Sequence, residues 1–96
     1  MYLILMNPDS FENAHSSYRG AICIMNNKPW YMTNLARPSL FKIKGEAESK
    51  IKKLHKSYPN NEFIDVDVSL YLSVIDADFS NPWVNQLRQE QRELSL

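Results

Sequence analysis

The sequence predicts an α+β domain: a small, mainly antiparallel sheet of three or four strands, one helix packed on its face, and a further helix at the C-terminal end. Three observations predict it. Apolar residues alternate with period two from Ile64 to Val74, apolar residues recur at helical spacing from Ala47 to Tyr58, and Asn26-Asn27-Lys28-Pro29 separates two short β-prone runs. A chain of 96 residues holds one core. We divide it into a core of residues 1–80 and a helix over 81–96 that packs on that core or on a partner subunit.

Tyr2-Leu3-Ile4-Leu5-Met6 reads as a short apolar strand, and Asn7-Pro8-Asp9-Ser10 opens a polar connection running to about Arg19. Ala21 to Met25 is a second strand. Asn tolerates positive φ and Pro donates nothing to a ladder, so Asn26-Asn27-Lys28-Pro29 is a turn and 20–33 a β-hairpin. Beyond Arg37-Pro38, Leu40 to Lys44 extends a little, with Phe41 and Ile43 on one face and Lys42 and Lys44 on the other.

Ala47, Ile51, Leu54 and Tyr58 follow steps of four, three and four, which line one side of a helix over 46–57. Glu46/Lys50 and Glu48/Lys52 are spaced to pair along it. Its start is weak, because Ile43, Lys44 and Gly45 offer no capping oxygen, and Pro59-Asn60-Asn61 stops it. Next, Ile64, Val66, Val68, Leu70, Leu72 and Val74 alternate with Asp65, Asp67, Ser69, Tyr71 and Ser73. We read 64–74 as one strand, central in the sheet, with its apolar side on the helix and its acidic, hydroxylated side in water. Ser80-Asn81-Pro82 starts a last helix whose apolar set is Trp83, Val84, Leu87 and Leu94.

Composition removes several functions. Eleven basic residues balance eleven acidic ones, so the chain as a whole is neither a basic nucleic-acid binder nor an acidic decoy. The balance is a cancellation: residues 1–60 carry nine Lys/Arg against four Asp/Glu, and residues 61–96 carry two against seven. Cys23 stands alone, so no internal disulfide exists, and its apolar neighbours suggest a buried, inert thiol. The apolar start lacks a basic leader and is too short for a membrane span, which makes a cytoplasmic, membrane-free location the expectation. There is no phosphate-binding glycine loop, Cys-x-x-Cys pair, His-Glu-x-x-His helix or Gly-x-Ser-x-Gly elbow. His15, beside Ser16 and Ser17, and His55 have no recognisable catalytic partner. We therefore expect no enzyme, no catalytic residues, no cofactor and no metal.

Two surfaces remain as candidates. Asp65, Asp67, Ser69 and Tyr71, continued by Asp76 and Asp78, form a polar row suited to gripping basic groups of a protein partner. The alternative is a nucleic-acid surface of Lys42, Lys44, Lys52, Lys53 and Lys56, with Trp30 available for base stacking. A homodimer through Trp83, Leu87 and Leu94 is a third class.

The order of hairpin, Phe41-x4-Glu46-Ala47-Glu48, lysine-rich helix, Tyr58-Pro59-Asn60-Asn61-Glu62-Phe63 and strand resembles that of small ββαβ proteins common in bacteriophages and other mobile elements. The likeness covers about residues 20–75. Ile43 departs from it, since such proteins usually place a capping Ser or Thr there. The resemblance implies an accessory protein that inhibits or modulates a host protein complex, anti-CRISPR and other anti-defence proteins being among this kind. On this reading the function is non-catalytic protein–protein interaction.

Overall fold

The computed structural model describes residues 1–9, 18–32, 37–75 and 82–94. The elements are β1 (Tyr2–Met6), β2 (Ile22–Met25), β3 (Lys28–Tyr31), α1 (Lys44–Ser57), β4 (Phe63–Asp67), α2 (Val68–Val74) and α3 (Pro82–Leu94). The fold is α+β, and its four strands pair antiparallel in two ladders, β1 with β4 and β2 with β3. A single bridge between Leu5 and Ala21 and a bond from the Met6 amide to the Gly20 carbonyl (2.8 Å) tie the ladders together. Gly20 sits at φ +83°, where a Cβ would lie 2.6 Å from the Met6 carbonyl oxygen, so that junction requires glycine.

The strand at the centre is β1. Its outward amides and carbonyls meet Phe41 and Gly20 on one side, while its other edge pairs with β4 in the register Leu3↔Val66 and Leu5↔Ile64. Both of its faces are covered. Leu3 and Leu5 enter one cluster with Val68, Tyr71, Leu72, Ile75, Val84 and Leu87. Ile4 and Met6 enter the other with Ile22, Leu54 and Phe63. A strand with helices on both sides needs an unbroken apolar run rather than an alternating one, and Leu3-Ile4-Leu5-Met6 supplies it. The result is three layers: α1, the β1/β4 ladder, and α2 with α3.

The predicted strand over 64–74 is a strand followed by a helix, which corrects the sequence reading. Only Phe63–Asp67 is extended; Val68–Val74 is helical. Two local causes decide it. The Asp67 carboxylate accepts bonds from the amides of Ser69 (2.8 Å) and Leu70 (3.4 Å), capping the first turn. Val68, Tyr71, Leu72 and Ile75, spaced three, one and three apart, are all buried on a single helical face, whereas a strand would send Tyr71 and Leu72 to opposite sides. The Tyr71 hydroxyl donates to the Tyr18 carbonyl (2.9 Å), which satisfies its polar atom inside the core.

Other elements lie where the pattern puts them. The hairpin turn is tighter than the expected Asn26-Asn27-Lys28-Pro29: Asn26 (φ 53°) and Asn27 (φ 60°) make a two-residue turn with positive φ at both positions, and Lys28 and Pro29 already pair within β3. Helix α1 starts two residues before its expected first turn, buries Ala47 and Leu54, and has Ile43 as an N-cap without a side-chain bond. The extension expected over 40–44 shrinks to the bridge of Phe41 with Tyr2. Cys23 is half-buried rather than sealed. No helix among the described residues is long and apolar enough to cross a membrane.

Candidate functional site

The acidic row expected along one strand is dispersed. Asp65 and Asp67 lie on the same side of β4 as Phe63, the side that faces α1, because Ile64 and Val66 take the opposite side towards α2 and α3. Asp65 accepts a bond from the Lys44 Nζ (2.8 Å), and that lysine also lies 3.8 Å from Glu48 and 5.9 Å from the Tyr2 ring centroid. The hydrogen bond first, and the carboxylate charge second, hold the Lys44 ammonium above the ordinary lysine range. Asp67 serves as the cap of α2. Ser69 is exposed on that helix, whereas Tyr71 is fully buried and cannot belong to a contact surface. Burial, with the neighbouring Tyr18 second, pushes the Tyr71 phenol well above its usual range. Asp76 and Asp78 lie outside the described residues, as do His15, Ser16 and Ser17.

The lysines divide into three directions. Lys44 is engaged with Asp65. Lys52 and Lys56 project from the back of α1, exposed, and have no carboxylate partner among the described residues. Lys50 and Lys53 share a flank with Glu46 and Ser49, four residues at steps of three, one and three. That flank borders an open depression of about 390 Å³. Its apolar lining comes from Phe41 and Ile43, and Gly45 at the start of α1 leaves it unobstructed. Ile43 is 58% exposed and stands beside Phe41 at this lining. Lys42, also exposed, lies between these two residues in the chain.

Trp30 does not join the lysines. In the β2–β3 register Cys23 faces Trp30 and Met25 faces Lys28, so these four share one side of the hairpin. Ile22, Ile24 and Tyr31 take the other side, which packs with Leu54, Ile51 and Tyr58. Trp30 therefore projects away from the side that meets α1. It is 53% exposed and Met25 is 51% exposed, while Cys23 beneath them packs on the Leu3–Leu5 cluster. This apolar pair was not legible as a pair from the sequence: Met25 and Trp30 are five residues apart, and only the tight turn brings them to one side.

The outer edge of β2 is covered. Alternate main-chain groups of β2 bond to Ser39, whose amide donates to the Ile22 carbonyl (3.1 Å) and whose hydroxyl accepts from the Ile24 amide (2.8 Å). On the outer edge of β3, Pro29 has no amide to offer.

Compared with protein-family models, curated proteins and solved structures, the chain matches none. Its own surfaces carry the functional reading. Among the described residues no three His, Cys, Asp or Glu side chains come together as metal ligands. Cys23 and His55 belong to different packing groups: His55 sets its ring edge-on to Phe63 (centroids 6.3 Å) on the α1 side, and Cys23 contacts the opposite cluster. The expected homodimer joint loses one member, because Leu87 is fully buried within the chain's own core. The side chains of Trp83 and Leu94 lie outside what the structure describes.

Proposed function

We propose that this chain is a non-catalytic binding protein that engages another protein through the outer side of the β2–β3 hairpin. The observation that carries the reading is the half-exposed pair Trp30 and Met25 on a hairpin whose other side is anchored in the core. Trp and Met are enriched in protein interfaces, and Trp is among the residue types enriched at their energetic hot spots. An anchored hairpin also loses little conformational freedom on docking. The surface thus moves from the row on 64–74 to the hairpin. Inhibition or modulation of a host protein complex is the form of this function that the ββαβ resemblance suggests.

A second reading has its own support: Lys52, Lys53 and Lys56 are exposed without carboxylate partners among the described residues, a start for phosphate contacts. One experiment separates the two. The immobilised chain is challenged with host lysate, with and without nuclease. The protein reading expects a stoichiometric partner that resists nuclease, is lost with Trp30→Ser/Met25→Ser, and survives Lys52→Glu/Lys53→Glu/Lys56→Glu. Capture that nuclease abolishes and the lysine variant removes, while the hairpin variant retains it, sinks the protein reading in favour of the polyanion.

A further inference from the structure

The depression beside the start of α1 poses a physical problem of its own. Position 43 is where a helix gains most from Ser, Thr, Asp or Asn, yet Ile43 stands there, gives no cap bond and exposes more than half of its side chain to water. The first choice forgoes a cap, and the second leaves most of an aliphatic side chain in water. They become favourable together if an apolar group covers Ile43 and the neighbouring Phe41. The rim of the same depression carries Lys50 and Lys53 against the single carboxylate of Glu46.

We propose that this depression docks an acidic peptide segment of a partner protein, one apolar side chain seated on Ile43 and Phe41 and flanking carboxylates beside Lys50 and Lys53. Charge complementarity selects that occupant. A continuous polyanion suits the depression less well, because the apolar floor of Phe41 and Ile43 gives phosphates no donor and Glu46 repels any strand of unbroken negative charge. A peptide can place separate carboxylates next to the two lysines and an uncharged residue opposite Glu46. This site is independent of the hairpin surface, since Trp30 lies on the side of the hairpin turned away from α1.

The test uses the full chain and a terminally blocked, fluorescein-labelled peptide with a Leu-Phe centre between paired aspartates, read by fluorescence anisotropy at low salt. Saturable binding is expected, about tenfold weaker with Lys50→Glu/Lys53→Glu and weaker by a similar factor with Ile43→Ser. Lys52→Glu, on the other flank of α1, and Trp30→Ala leave it unchanged. Amide chemical shifts of the unsubstituted chain give a readout that needs no variant: residues 41–53 move on titration. The proposal falls if no saturable binding occurs, or if a peptide with Ser in place of Leu-Phe binds as tightly. It falls equally if Trp30→Ala removes binding, which would place the peptide on the hairpin. An oligonucleotide that binds more tightly at the same lysines, indifferent to Ile43→Ser, overturns it in favour of a nucleic-acid surface.

Discussion

Helix α1 begins at Ile43, which gives its first amides no side-chain bond, whereas α2 begins at Asp67, whose carboxylate accepts from two of them. The lengths run the other way: fourteen residues without a cap, seven with one. Helix formation has a costly nucleus that is offset only as further turns are added. Fourteen residues with Ala47 and Leu54 buried on one face repay that nucleus without help at the end. Seven residues do not, so α2 depends on its cap and on the dense burial of Val68, Tyr71 and Leu72. Of these two helices the cap goes to the one that would otherwise fail, and the one that can do without it exposes an apolar residue instead.

The sharpest way to break the contrast is inside α2. Tyr71→Phe keeps the ring but leaves the buried Tyr18 carbonyl without its donor, which is expected to destabilise by about 2 kcal/mol in urea unfolding. The pH dependence follows from the same group. The folded-state value of Tyr71 lies above the unfolded value of about 10, so its contribution is complete below pH 10. It is lost as pH rises further, by up to about 1.4 kcal/mol per pH unit. Tyr71→Phe is therefore less stable than the unsubstituted chain at neutral pH and loses stability less steeply above pH 10. Parallel alkaline slopes in the two proteins would show that burial of this phenol is not what the alkaline limb reports.

Next in size is the cap. Asp67→Ala removes two bonds to the first turn of α2 and is expected to destabilise by about 1 kcal/mol, with loss of amide protection at Ser69 and Leu70 in hydrogen exchange. The same residue explains what the sequence conceals. From Ile64 to Val74 the apolar residues alternate without fault, yet Val68, Tyr71, Leu72 and Ile75 also carry helical spacing. Counting Tyr71 as polar hides the second period, and inside a faultless alternation Asp67 does not stand out as a cap that accepts from the amides after it. Ile75, apolar directly after Val74, breaks the alternation and is the remaining clue. Elsewhere one period dominates and the pattern is legible: the stripe of α1, the Asn26-Asn27 turn, and Pro82 at the first position of α3. For the candidate sites, the residue types were legible and their grouping was not. Asp65 pairs with Lys44 because β4 turns its acids towards α1, and Trp30 parts from the lysines because the hairpin turns it the other way.

The smallest expected effect has the opposite sign. Ile43→Ser supplies α1 with the cap that α2 already has, and removes an aliphatic side chain that the folded chain leaves more than half exposed. It is expected to stabilise by about 0.5 kcal/mol, the low end for a cap because this helix end is exposed. A rise in the urea midpoint with an unchanged slope is the measurement that checks it. Most substitutions of a large aliphatic residue in a folded protein destabilise, so a gain here has diagnostic value: it means that position 43 is not optimised for the isolated fold. If the same substitution also weakens the acidic peptide, stability and binding are opposed at one side chain, which a residue retained only for packing would not show. A loss of stability would mean that Ile43 contributes contacts that outweigh the missing cap, and the contrast between the two helix starts would then reflect packing rather than recognition.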